Sequence, residues 1–241
     1  MQPDISLVIP AYNEQLLLPR LLNSVADARS RFQQTGGEVE IIVADNNSTD
    51  ATAEVARSHG CIVAQVERRV IAAARNGGAK VAASPILAFV DADCRIHQET
   101  FVRIAETMNS GSYVGGACGW RLERQSLGLR STEWVTRVLL RFLKVDGGVV
   151  FCERAAFEAI GGYDENRDVG EDVHFLLALR RYGSANFGKG FQLDAGAPAT
   201  ISTRKWDEHG DWHMFQMVYW PLIQRRSFHA IIRDYWYREQ P

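Results

Sequence analysis

Short apolar runs alternate with segments of helical spacing through the first half of the chain. Ile5-Ser6-Leu7-Val8-Ile9 reads as a strand stopped by Pro10. From Glu14 to about Arg29, Leu17, Leu18, Leu21, Leu22 and Val25 recur at the spacing of one helix face. Gly36-Gly37 then breaks the chain before a second strand, Glu40 to Ala44. Ser48, Thr49 and Asp50 are N-cap candidates for a helix to about Ser58. A third strand (Cys61 to Val66) and a third helix (about Ile71 to Ala83) lead to a fourth strand, Ile86 to Val90. This order predicts an α/β fold with a mainly parallel sheet and helices on both faces.

The second half is less regular. Gln98 to Met108 reads as helix, Tyr113 to Trp120 as a strand of small residues, and Leu127 to Phe142 as an amphipathic helix. A short strand, Val149 to Cys152, precedes a short helix, Arg154 to Ile160, closed by Gly161-Gly162. Val173 to Arg181 is a further helix with Glu171-Asp172 at its start. The chain contains no linker, repeat or low-complexity tract, which predicts one domain with two functional halves.

Composition changes this picture little. A chain of 241 residues with 46% hydrophobic and 23% charged residues is ordinary for a globular protein. Its net charge of −2 gives no global electrostatic case for nucleic acid, so a charge-driven partner must meet a local patch. Cys61, Cys94, Cys118 and Cys152 lie far apart and form no zinc-like spacing, which predicts buried reduced thiols. Neither a signal-peptide pattern nor an apolar run of about 18 residues is visible, so the expected location is cytoplasmic.

Candidate chemistry gathers at one place. Ligands of open parallel sheets bind outside the carboxyl ends of the strands, and three of the predicted strands end there in polar signals. They are Pro10-Ala11-Tyr12-Asn13-Glu14, Asp45-Asn46-Asn47-Ser48-Thr49-Asp50 and Asp91-Ala92-Asp93. In an extended chain, residues two apart face the same side, so Asp91 and Asp93 are expected to face one hard cation. Tyr12 can stack on a base and Asp45 can accept a hydrogen bond from it, whereas Asp50 fits helix capping. Arg75, in Arg75-Asn76-Gly77-Gly78, suits phosphate oxygens or, equally, an exposed helix surface. Glu171 and Asp172 at a helix start suit either the helix dipole or a general base.

With these pieces in this order, the chain resembles the family 2 glycosyltransferases with the GT-A fold. Val8-Ile9-Pro10-Ala11-Tyr12-Asn13-Glu14 is similar to their opening motif, and Asp45 to Asp50 with Ala51-Thr52 to their second. Arg75-Asn76-x-Gly78 and Phe89-Val90-Asp91-Ala92-Asp93 resemble the third and the metal-binding motifs. Phe157-x-x-x-Gly161-Gly162-Tyr163-Asp164-Glu165 and Gly170-Glu171-Asp172 resemble the acceptor-side and catalytic-base motifs. The resemblance implies a GT-A domain over 1–205, with a Rossmann-like nucleotide-sugar-binding half (1–97), an acceptor half (98–205) and a helical extension (206–241). It also implies a nucleotide-diphospho-sugar donor (UDP-, GDP- or dTDP-linked), a divalent metal (Mg2+ or Mn2+), and inversion by direct displacement. Carried over, Pro10, Tyr12, Glu14 and Asp45 would hold the nucleoside, and Arg75 the donor phosphates or sugar. Asp91 and Ala92 would lie near the ribose or sugar, and Asp93, with Asp91, would serve the metal. Asp172 would be the general base, with Glu171 beside it orienting acceptor or sugar.

The pattern departs from the family in places. Asn46-Asn47 stand where Asp-Gly is commoner, and the Gln-x-x-Arg-Trp signature of processive synthases is missing, which favours transfer of a single sugar. Arg204 could reach the diphosphate or remain a solvated cation; His209 and His213 are candidates for a further metal ligand or for surface packing. Trp206, Trp212, Phe215, Tyr219, Trp220, Phe228, Tyr235, Trp236 and Tyr237 interleave with Arg225, Arg226 and Arg233. Such a stretch packs on the domain or a partner, or touches the inner face of a membrane, which would suit a lipid-linked rather than a free glycan acceptor. Two other readings are a nucleotide-sugar-binding module without catalysis and a nucleotidyltransferase. The latter class opens with a Gly-rich phosphate loop that Pro10 to Glu14 does not provide.

Overall fold

The computed structural model describes residues 2–167, 170–193 and 195–212. The central element is β1 (Ile5–Ala11), every residue of which is buried. Ile5, Leu7 and Ile9 enter one apolar cluster while Val8 enters another, so one strand feeds the core on both faces of the sheet. On the first face pack α1 (Leu18–Gln33), α2 (Thr52–Ser58) and, from later in the chain, α4 (Thr100–Asn109). Beside β1 runs β2 (Val39–Asp45), and beside that β3 (Ile62–Gln65); both pairings are parallel. The second face is covered by α3 (Ile71–Val81), which leads into β4 (Ile86–Phe89), parallel to β1 on its other side.

α3 is of small residues because it lies directly on the sheet. A Cβ on Gly78 would meet Val8 Cγ1 at 2.4 Å, and one on Gly77 would meet Val66 Cγ2 at 2.4 Å. The glycines expected to allow close packing do so.

After β4 come the two-residue strand β5 (Cys94–Arg95), then β6 (Tyr113–Ala117) and β7 (Trp120–Leu122). α5 (Leu127–Leu143), β8 (Val150–Glu153), α6 (Arg154–Ala159) and α7 (Glu171–Phe187) follow. β9 (Gly190–Gln192), β10 (Ala199–Ile201) and α8 (Arg204–His209) complete the described elements. The main sheet has the order β3-β2-β1-β4-β8-β6-β9, with β8 antiparallel to both its neighbours. A smaller sheet, β5-β10-β7, joins the exit of the Asp91 to Asp93 segment to the last described part of the chain.

The expected fold class is therefore observed, with local differences. The strand expected over 113–120 breaks into β6 and β7, with Gly119 at φ +80° and Gly148 at φ +85° facing each other. A Cβ on Gly148 would lie 2.0 Å from the Gly119 carbonyl oxygen, so only glycine permits this crossing. α1 starts at Leu18 rather than near Glu14, with Pro19 in its first turn. α7 runs on to Phe187 and stops at Gly188, whose φ is +65°. β5, β9 and β10 are too short to leave a period in the sequence. All four cysteines are buried and free, as expected. Among the described residues no helix is long and apolar enough to cross a membrane.

The second-face core is aromatic. Tyr163 and Phe175 stack at 4.1 Å between centroids, with Phe89 and Phe157 in contact with both. Phe175→Ala is expected to cost about 3–5 kcal/mol, as buried aromatic truncations do. Phe187→Ala, on the exposed end of the same helix, should cost about 1 kcal/mol or less. Urea denaturation of the two variants measures the contrast, and equal losses would show that the cluster is not the anchor of α7.

Candidate functional site

Parallel register places the ends of the strands level. Ala11 pairs with Asp45, Asp45 with Gln65, and the Val90 N–H donates to the Val8 carbonyl at 3.2 Å. The chain beyond β1, β2 and β4 thus emerges along one edge, which brings the first two polar segments into direct contact. The Asn13 N–H donates to Ser48 Oγ at 3.1 Å, and the Thr49 N–H donates to Asn13 Oδ1 at 2.8 Å. Likewise the Glu14 N–H donates to Thr52 Oγ1 at 2.8 Å and the Gln15 N–H to Asp50 Oδ2 at 3.1 Å.

Asp50 also accepts from the Thr52 N–H at 2.9 Å as a turn acceptor, while the N-cap of α2 falls on Ala51 rather than on Ser48, Thr49 or Asp50. Asp45 is 4% exposed and accepts from the Ser48 N–H at 3.1 Å. Asn47 adopts φ +65°, a conformation glycine takes readily and asparagine tolerates, which explains how it replaces the commoner glycine here. Asn46 is buried and donates to the carbonyls of Val66 and Arg68.

Pro10 is buried within β1 opposite Ala44. Tyr12 is half-buried, and the Arg69 guanidinium lies 4.3 Å over its ring and donates to its hydroxyl. Glu14 accepts from Arg204 Nη2 at 3.1 Å, a contact that links the first polar segment to α8. Arg204 Nε is buried and makes no hydrogen bond. Trp206 and Trp212 are described; the side chain of His209, the whole of His213 and the remaining aromatic segment lie outside the described residues.

The Asp91 to Asp93 segment is not an extended strand end. β4 stops at Phe89, and the Cys94 N–H donates to the Asp91 carbonyl at 3.1 Å, which closes a turn. The alternation argument for two carboxylates facing one side therefore does not apply; their disposition is set by the turn. Asp91 is exposed, Asp93 half-buried and Ala92 buried between them. Burial, with Asp93 and Asp91 adding negative charge, holds the Cys94 thiol well above its ordinary value, so it stays protonated. Among the described residues no group of three His, Cys, Asp or Glu side chains could hold a metal. Two carboxylates suit a hard cation that keeps waters and substrate phosphate oxygens in its shell rather than a closed protein cage.

Arg75 joins the two halves of the site. It is 7% exposed; Nη2 donates to Asp91 Oδ1 and Nη1 to Glu171 Oε1, both at 2.9 Å. Its Cζ lies 5.0 Å over the Tyr163 ring. Burial alone would lower its pKa, but Asp91, Tyr163, Glu171 and Asp172 together hold it above its ordinary value. The guanidinium expected to reach donor phosphates thus spends both terminal nitrogens on carboxylates. Glu171, first residue of α7, is itself buried, and burial raises its pKa although Arg75 pulls the other way; Asp172 beside it adds to the rise. Arg75 answers to two carboxylates, whereas Glu171 has one cation and an adjacent like charge. Glu171 therefore holds its proton to higher pH than an ordinary glutamate. Asp172 is exposed in the first turn of α7, with Oδ1 accepting from the Val173 N–H at 2.7 Å.

Two further residues hold the site together: Asn76, named in the sequence only as part of the Arg75-Asn76-x-Gly78 motif, and Arg68, which the sequence did not mark. Asn76 donates to the Tyr163 carbonyl at 2.8 Å and to Glu165 Oε1 at 2.9 Å, and accepts from the Tyr163 N–H at 2.9 Å. Arg68 donates to Glu165 Oε2 at 3.0 Å and to its carbonyl at 2.9 Å. Together they fasten the segment before α7 to α3 and the loop that precedes it. Asparagine is a poor residue for a helix interior, so Asn76 within α3 was a legible request for a tertiary partner; Arg68 gave no such signal.

The model for glycosyl transferase family 2 matches residues 6–161 of the chain. The chain is 34% identical to glycosyltransferase AglE of Haloferax volcanii over 125 residues, covering 47% of this chain and 39% of that protein. It is 37% identical to a validoxylamine A glucosyltransferase of Streptomyces hygroscopicus over 95 residues, 37% of this chain and 22% of the relative. The chain thus spans well under half the length of these curated relatives. Among solved structures, TarS residues 1–349 of S. aureus superposes with a TM-score of 0.64 at 18% identity, covering 89% of this chain and 64% of that one. Glucosyl-3-phosphoglycerate synthase from Mycobacterium tuberculosis, in complex with Mn2+, UDP and phosphoglyceric acid, gives 0.57 at 21% identity, covering 92% and 78%. These likenesses show the shared fold.

The raised pKa of Glu171 has a consequence for stability. Folded Glu171 keeps its proton to higher pH than unfolded Glu171, so the folded state binds more protons across that interval. Its contribution is fully present below the ordinary glutamate value and is lost as pH rises through the raised one. Glu171→Gln stays neutral throughout and does not share this fall. Urea midpoints of both proteins from about pH 4 to about pH 8 should show the parent losing stability relative to the variant as pH rises. Parallel profiles would show that burial does not raise the Glu171 pKa in the folded protein.

Proposed function

Since the chain belongs to glycosyl transferase family 2, we propose that it moves a single sugar from a nucleotide-diphospho-sugar to an acceptor hydroxyl, with inversion. The observation that carries this reading is the Arg75 bridge. One guanidinium holds Asp91 through one nitrogen and Glu171 through the other, so the acidic turn after β4 and the acidic start of α7 share one site.

Residues 1–97 serve the donor and 98–205 the acceptor. Pro10, Tyr12, Glu14 and Asp45 line the nucleoside position at the strand ends, and Arg204, brought to Glu14 by the small sheet and α8, faces the diphosphate. Arg75 orients Asp91 and Glu171 beside the donor sugar, and Ala92 keeps the turn between Asp91 and Asp93 compact. Asp93, with Asp91, is the place for Mg2+ or Mn2+, which when bound offsets charge developing on the leaving diphosphate. Asp172, exposed at the helix start, takes the acceptor proton. The acceptor oxygen bonds the anomeric carbon as the bond from that carbon to the diphosphate oxygen breaks, and the electron pair leaves with the nucleotide. A uridine nucleotide is the first choice because TarS has been crystallised with UDP and with UDP-GlcNAc, and the mycobacterial synthase with UDP and Mn2+. The acceptor class is a glycan or a lipid-linked sugar.

Two experiments test this. Calorimetric titration of UDP, GDP, dTDP and CDP, with and without Mn2+, should show metal-dependent binding of one nucleotide that Asp93→Asn abolishes. Binding of none by the folded protein would sink the donor site. With donor and acceptor in hand, Asp172→Asn should keep donor affinity and lose about 10²–10⁴-fold in transfer rate, the usual worth of a positioned base. Normal turnover would overturn the assignment of Asp172.

A further inference from the structure

Eleven large hydrophobic side chains are exposed among the described residues, and six of them belong to α5, so exposure is concentrated rather than scattered. They are Leu127, Trp134, Val135, Val138, Leu139 and Phe142, with Leu127 79%, Trp134 67% and Phe142 84% exposed. At 100° per residue these six fill one arc of about 140°. Gly128, within the arc, is buried against Asp211, and Thr132 at its Leu139 edge is buried too; on the far side Leu129 is buried and Leu140, with Leu143 beside it, packs on neighbouring clusters of the domain. α5 is thus apolar on two sides, and among the described residues only one has a partner.

Arg130 and Arg141 stand along one border of the exposed arc, and among the described residues the side chain of neither forms an ion pair or hydrogen bond. The acid on this helix, Glu133, is committed to Arg137. A flat apolar band bearing Trp and Phe, flanked by cations that no described residue pairs, is matched by one surface chemistry: an apolar interior beneath a layer of anionic headgroups. A second copy fits poorly. An antiparallel two-fold pairing centred on the band would set Arg130 of one copy against Arg141 of the other, and a parallel pairing would set the arginine border against the opposite border of α5, at Thr132, Leu139 and Leu143, which offers no acid. Residues 213–241 would not neutralise the border either, since they carry Arg225, Arg226, Arg233 and Arg238 against Asp234 and Glu239. At 17 residues α5 is no membrane span, and it meets none of the requirements for one.

We propose that α5 is a membrane-docking helix, lying in the headgroup layer of an anionic bilayer with Trp134 and Phe142 inserted and Arg130 and Arg141 on the lipid phosphates. The inference is independent of the proposed reaction, since none of these residues belongs to the site described above.

Flotation of the 241-residue chain with phosphatidylcholine vesicles, with and without roughly a third phosphatidylglycerol, tests it. Binding is expected to the anionic vesicles and to fall as salt rises. Trp134→Ala with Phe142→Ala should weaken it by about tenfold or more at an unchanged thermal midpoint. Arg130→Gln with Arg141→Gln, at exposed positions that the fold does not use, should weaken it and flatten the salt dependence. Absence of flotation with anionic vesicles overturns the proposal, as does flotation of both double variants at the parent level. Sedimentation showing a parent dimer that Trp134→Ala with Phe142→Ala turns into monomers overturns it in favour of a second copy.

Discussion

A buried guanidinium is the constraint to which the other parts of this site answer. Removing Arg75 from water costs several kcal/mol, and two carboxylates and an aromatic face must offset that cost together. The partners come from three different elements: the turn after β4, the segment before α7, and the first residue of α7. A partner that moves away weakens the compensation of this buried charge, and losing both carboxylates would leave it unpaired, a loss of about 3–5 kcal/mol. The ion pairs therefore contribute less to net stability than to fixing where Asp91 and Glu171 sit.

The sheet makes that placement possible. α3 carries Arg75, and it can lie close enough to reach both carboxylates because Gly77 and Gly78 let it settle on Val66 and Val8. Asn76, one residue on, faces the segment before α7 and pairs with both the N–H and the carbonyl of Tyr163. Tyr163 then stacks on Phe175, inside α7. Helix-on-sheet packing, a polar clamp and an aromatic stack thus form one continuous path from the buried strands to the carboxylates at the start of α7.

Much of this was legible in the sequence, for identifiable reasons. The strand and helix order to Val90 follows from apolar periodicity, and the polar strand ends mark the edge where the site lies. What escaped was set by tertiary pairing. The Asp91 to Asp93 segment reads as the end of a strand, but a hydrogen bond from Cys94 turns it. Arg75 reads as either a phosphate ligand or a surface residue; its burial depends on partners far away in the chain. β5 and β10 have two and three residues, and no alternation can be read from so few, yet they return the chain so that Arg204 reaches Glu14.

The charge balance of the site has one more consequence for the proposed reaction. Around Arg75 one positive charge answers Asp91 and Glu171, with Asp172 close by, so these four groups together sum to a negative charge. Arg204 is already paired with Glu14. A diphosphate entering here meets carboxylates whose cations are committed, and like charges a few ångströms apart in a partly buried site repel by several kcal/mol. The network that positions the acids therefore also leaves the site short of positive charge. Proton uptake by Glu171, the member whose pKa burial raises, would relieve one charge, and a divalent cation at Asp93 two. On the proposed reading, the acidity of the turn and the burial of Arg75 act in one direction: both favour a donor that arrives with, or at, a cation.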